Sequence, residues 1–88
     1  MHIRNVDLNL IAVFDAIMTE GNLGAAGERL GLSQSAVSHA LARLRAITGD
    51  DLFVRTRKGM KPTAHAVSLA GPLQSAVELC RQAFAKRN

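Results

Sequence analysis

Scarcity narrows this chain first. A single cysteine, Cys80, rules out an internal disulfide framework and a multi-cysteine zinc site. Trp and Tyr are absent and the aromatics are Phe14, Phe53 and Phe84, so the stacking platforms of single-strand nucleic-acid binders are missing. The longest apolar run, Leu10–Phe14, is far short of the roughly 20 residues that a membrane span needs, so no membrane partner is expected. With no secretory h-region and one cysteine, the expected compartment is a reducing cytoplasm, with the chain on the nucleoid. The three histidines are scattered, no Ser–His–acid set can be assembled from them, and no glycine loop is built to cradle phosphate. No catalysis, cofactor or metal is therefore expected. Asp50-Asp51 follow Gly49 without a third ligand or opposing base nearby, which reads as a solvated turn.

What is present fits one small domain of 88 residues. Its net charge of +4 is uneven: residues 1–28 carry one basic and four acidic groups, residues 29–65 seven and two, and residues 66–88 three and one. The basic excess in the middle favours a polyanionic partner, because each neutralised phosphate releases condensed counterions. Duplex DNA suits the low aromatic content better than a single strand.

The middle stretch reads as two helices joined by a tight turn. Asn22 is a good N-cap, Leu23, Ala25, Ala26 and Leu30 follow, and Gly31 tolerates the left-handed turn that ends the helix. Ser33 can cap the next helix, expected over 33–47, in which Val37, Ala40, Leu41, Leu44 and Ile47 share an inward side. The other side carries Gln34, Ser35, Ser38, His39, Ala42 and Arg43. These groups are short, neutral to basic and able to donate or accept, which matches the donors, acceptors and thymine methyls on a major-groove floor. An earlier helix from Asp7 to Gly21 offers Leu10, Val13, Phe14 and Ile17 as the apolar floor beneath the pair.

After Gly49, Leu52-Phe53-Val54-Arg55 is β-prone and leads through Thr56–Met60 to Lys61-Pro62-Thr63, a two-stranded wing over 52–63. Alternation puts Phe53 in the core, with Leu52 and Val54 on the opposite side, and Arg55 at the rim. Arg57, Lys58 and Lys61 ring the turn, placed to lie along the duplex backbone or enter the minor groove. From residue 64 onward, Ala66, Ala70, Leu73, Val77, Cys80 and Phe84 follow heptad spacing on a helix expected to pair with a second copy. Pro72 should kink or break that helix near Gly71. His65 reads as a surface residue at its start. The competing reading is a protein-interaction module in which the wing and last helix dock an acidic partner.

The ordered series Asp7-Leu8-Asn9-Leu10 with Phe14, Ala25-Ala26 with Leu30, Leu32–Ser38, Leu41–Leu44, and Leu52–Arg55 with Pro62-Thr63 resembles the N-terminal DNA-binding domain of LysR-type transcriptional regulators. The resemblance implies a mainly α winged helix-turn-helix over 1–63, a linker helix over 64–88 that dimerises, and binding to an imperfect inverted repeat in promoters. By position it implies base reading by Gln34, Ser35, Ser38 and His39, phosphate contact by Ser33 and Arg43, and a wing arginine at Arg55, with Arg57, Lys58, Lys61 and Thr63 completing the DNA-binding set. Two departures stand out. Gly24 and Gly27 replace the non-glycine residues usual in the second helix, at about 0.5–1 kcal/mol each relative to Ala, which implies a soft helix. No effector-sensing domain lies within these 88 residues, as in an isolated domain or a short natural protein, and a small-molecule inducer enters only with such a domain.

Overall fold

The computed structural model describes residues 7–85. Its elements run α1 (Leu8–Glu20), α2 (Leu23–Leu30), α3 (Gln34–Thr48), β1 (Phe53–Thr56), β2 (Gly59–Pro62) and α4 (Ala64–Ala85). The three caps read from sequence are in place. Asp7 accepts from Asn9 N–H, Asn22 from Ala25 N–H and Ser33 from Ala36 N–H, each satisfying an orphan donor of a first turn. Gly21, Gly31 and Gly49 close α1, α2 and α3 in the left-handed conformation.

Leu10, Val13, Phe14 and Ile17 of α1 meet Leu23 and Ala26 of α2 and Val37, Leu41 and Leu44 of α3 in one buried cluster. Burial of each large side chain contributes about 1.5–3 kcal/mol, which makes this three-helix contact the main support of the fold. Gly27 is part of that contact. A Cβ there would stand 2.6 Å from Leu32 O and 3.4 Å from Val37 Cγ2. The glycine therefore lets the helix-turn-helix close, which corrects the expectation that Gly27 merely softens α2.

β1 and β2 pair antiparallel with Phe53 opposite Pro62 and Thr56 opposite Gly59. The two-residue tip, Arg57-Lys58, is braced by Thr56, whose hydroxyl donates to Gly59 O and accepts from Lys58 N–H. Phe53 packs on Phe14 with ring centroids 5.4 Å apart, a tilted pair that fastens the wing to α1. At the other end Met60 N–H donates to Gly21 O at 2.9 Å. Gly59 sits at φ 123, pressed so closely on Gly21 O that no side chain could be accommodated. Leu52 departs from the strand alternation expected of it. It precedes β1, lies at φ 63, and is as fully buried as Phe53. The left-handed residue turns the chain so that both consecutive side chains enter the core.

α4 runs unbroken through Pro72, so of the kink or break expected there the break does not occur. Ser68, Gly71 and Pro72 are exposed, so water can take the Ser68 carbonyl freed by the missing N–H, while Leu69, Ala70 and Leu73 hold both flanks of the proline against the core. The expected dimer seam is divided as well. Ala66 is fully buried within its own chain, and Ala70 and Leu73 pack on the same core. Val77 and Cys80 are half-buried and Phe84 is 86% exposed. The expected boundary at 63/64 is thus a junction of elements, with the first turns of α4 inside the core of the winged unit.

Candidate nucleic-acid interface

α3 is held so that its two sides have separate duties. Val37, Leu41 and Leu44 are buried, while Gln34, Ser35, His39, Ala42 and Arg43 are exposed and Ser38 is half-exposed. The face expected to read bases therefore lies on the surface. Its start is fixed by Ser33, whose Oγ accepts from Ala36 N–H at 3.1 Å and lies 3.3 Å from Ser35 Oγ. A Cβ at Gly24 would stand 3.2 Å from Asn22 Oδ1, the capping oxygen of α2, and in ordinary contact at 3.6 Å with Gln34 Oε1.

Arg43, Arg55, Arg57, Lys58 and Lys61 are all exposed. Among the described residues the ion pairs are Arg29–Glu20 and Arg81–Glu78, and neither uses a side chain of α3 or the wing. The basic side chains of the candidate interface thus keep their charge available to an anion, and burial of such a charge against phosphate is what would give binding its salt dependence.

Thr63 is the exception in the expected set. Its hydroxyl is turned inward, donating to Asp50 Oδ2 at 2.7 Å and accepting from Ala66 N–H at 3.1 Å, so it caps α4. Asp50 is also more than the solvated turn expected of it. Its carboxylate receives hydrogen bonds from Thr63 and from Leu52 N–H, and these, in that order, hold its pKa below the ordinary 3.8. Arg45 was not singled out by sequence reasoning. Its Nε donates to Asp51 O and its Nη2 to Phe53 O, both at 2.8 Å, tying the end of α3 to the root of the wing. The signal for it was an arginine four residues after buried Leu41, at the rim of the inward stripe and beside a turn rich in free carbonyls.

Among the described residues no cluster of three or more His, Cys, Asp or Glu could hold a metal, and no helix is long and apolar enough to cross a membrane.

The model of the bacterial regulatory helix-turn-helix proteins of the lysR family matches residues 8–67. NagR of Ralstonia sp, an HTH-type transcriptional activator, is 47% identical over 88 residues, which are 100% of this chain and 29% of that protein. The crystal structure of the probable transcriptional regulator PA0477 from Pseudomonas aeruginosa superposes with a TM-score of 0.89 at 41% identity, over 93% of this chain and 28% of that one. CbnR_DBD, crystallised in a complex with DNA, superposes with a TM-score of 0.80 at 25% identity, over 91% of this chain and 92% of its own. The chain thus spans under a third of the first two proteins and nearly all of the third. The match runs from the first residue of α1 through the helix-turn-helix and the wing into α4, and the fold agrees throughout. This chain belongs to the lysR family of bacterial regulatory helix-turn-helix proteins.

Proposed function

We propose that the chain binds duplex DNA in a sequence-specific manner as the DNA-reading part of a dimeric transcription regulator, in the cytoplasm and on the nucleoid. α3 enters the major groove, where Gln34, Ser35, Ser38 and His39 meet base edges and Ser33 and Arg43 meet flanking phosphates. The wing lies on the backbone or in the adjacent minor groove through Arg55, Arg57, Lys58 and Lys61. Two copies joined through α4 address the halves of an imperfect inverted repeat. The observation that carries this reading is the two-sided α3, polar and exposed outward, apolar and buried inward, next to a basic hairpin tip whose charges form no ion pair among the described residues. The likeness to CbnR_DBD, a protein crystallised with DNA, supports it. No chemical step is assigned to the chain.

The test is a titration of the chain against a randomised duplex pool and against the duplexes it enriches, at several salt concentrations. Affinity should fall with a log–log slope of about −0.9 for each phosphate neutralised. Tight binding without a salt slope, or amide shifts on adding DNA that spare residues 33–43, would overturn the reading. The second outcome would favour a module that docks an acidic protein.

A further inference from the structure

Three elements leave one point in this fold: α3 ends at Thr48, the wing begins at Phe53, and α4 starts beside them at Ala64. Apolar packing alone would leave the angles between them soft, because it is non-directional. Hydrogen bonds are directional, and here they converge on one carboxylate. Asp50 Oδ2 receives Leu52 N–H at 2.8 Å and Thr63 Oγ1 at 2.7 Å. Thr63 passes the tie onward, because its Oγ1 accepts from Ala66 N–H in the first turn of α4 and its own N–H donates to Leu52 O at 2.8 Å. From the α3 side, Arg45 holds the carbonyls of Asp51 and Phe53. The joint also holds Leu52 at φ 63, a backbone conformation that a bulky residue adopts only when its surroundings impose it.

None of these tied groups belongs to the exposed side of α3 or to the hairpin tip. What they govern is direction. We propose that Asp50 and Thr63 are positioning residues that set the angle at which α4 leaves the winged unit, and thereby the separation of the two reading helices in a dimer. This assignment rests on the proposed function. It makes the joint a determinant of operator spacing and leaves base preference to α3. Asp50 reaches α4 only through Thr63, so removing the hydroxyl alone should uncouple the helix while Asp50 still holds Leu52.

The experiment selects duplexes from a randomised pool with wild type, Thr63→Val, Thr63→Ser and Asp50→Asn, and reads the half-site sequence and the half-site spacing separately. Circular dichroism and melting curves accompany each variant. Thr63→Val should keep the wild-type half-site sequence and its affinity for an isolated half-site. Its preference for the wild-type spacing should fall roughly fivefold to tenfold, the scale of a lost helix cap. Thr63→Ser should restore the spacing preference, and Asp50→Asn should show the same split as Thr63→Val, so the assignment stays testable if either variant fails to fold. An unchanged spacing preference in the folded variants would overturn the inference, as would joint loss of sequence and spacing preference. Enrichment of a lone half-site by wild type would overturn it and leave DNA binding standing, whereas enrichment of no duplex would remove the proposed function as well.

Discussion

α3 and α4 each carry one apolar stripe, yet the fold treats the two helices differently. In α3, Val37, Leu41 and Leu44 are buried in the core and Ala40 and Ile47 pack against it, while the side turned to solvent is polar. The stripe of α4 is covered through Ala66, Leu69, Ala70 and Leu73 and then runs off the core, leaving Val77 and Cys80 half-buried and Phe84 86% exposed. Periodicity reports that a helix has an apolar side; it does not report how far the partner surface extends. A helix of 22 residues is about 33 Å long, longer than the short helices available to cover it. The same kind of pattern therefore yields a finished core in α3 and an unfinished surface in α4.

The most severe way to probe this contrast is truncation on each stripe. Leu41→Ala removes a fully packed side chain and should cost about 2–5 kcal/mol in urea unfolding. Phe84→Ala removes a larger side chain that its own fold does not cover, and should change unfolding of the single chain by no more than about 0.5 kcal/mol. Its effect should appear in sedimentation as weaker self-association. Comparable losses of chain stability for the two variants would erase the distinction.

A smaller effect is expected within the helix-turn-helix itself. Gly27→Ala improves helix propensity yet drives a Cβ to 2.6 Å from Leu32 O, a backbone atom with little freedom to retreat. The overpacking should cost about 1–3 kcal/mol net in thermal or urea unfolding. A stabilised Gly27→Ala variant would mean that the turn yields more readily than the packing suggests.

Much of this architecture was legible because it depends on neighbours in sequence. Asp7, Asn22 and Ser33 cap helices a few residues away, and Leu10, Val13, Phe14 and Ile17 announce one side of α1 by spacing alone. The exposed side of α3 followed from its inward side by exclusion. The hairpin was legible from a β-prone run and a turn, and its tip proved to be Arg57-Lys58. What stayed hidden depends on contacts between elements. The inward turn of Leu52 requires a left-handed backbone that no leucine advertises. Gly27 looked like a propensity defect until Leu32 O was found against it. Asp50, Thr63 and Arg45 are ordinary polar residues in sequence and become a joint only when α3, the wing and α4 meet. Pro72 looked like a helix breaker because the packing on both of its flanks could not be seen from spacing.

For binding, the comparison to sharpen is between the exposed side of α3 and the hairpin tip. Gln34→Ala should relax preference at one base position by about 1–3 kcal/mol. Lys58→Ala should weaken all duplexes alike and reduce the salt slope by about one phosphate's worth. Competition titrations with a duplex set that varies one base pair at a time separate the two. Equal losses on every duplex for Gln34→Ala would remove that residue from base reading.

The mildest expected effect concerns the junction between the two helices and depends on pH. Asp50 is partly exposed, and its carboxylate is stabilised by the Thr63 hydroxyl and then by Leu52 N–H, which lowers its folded pKa below the ordinary 3.8. A carboxyl whose pKa is lower folded than unfolded binds its proton more readily in the unfolded chain, so unfolding takes up protons and acid favours it. The contribution of Asp50 is therefore fully present above the ordinary value and is lost as pH falls below it through the folded pKa. Asp50→Asn should flatten this acid-side loss and leave the pH dependence between 6 and 8 unchanged, as read from urea midpoints across a pH series. At neutral pH the asparagine oxygen can still accept from Leu52 N–H but no longer holds the Thr63 hydroxyl as the carboxylate does, so α3 is unaffected and the start of α4 loosens as in Thr63→Val. An acid limb identical to wild type would mean that the two donors hold the carboxylate no more firmly in the folded chain than water does in the unfolded one.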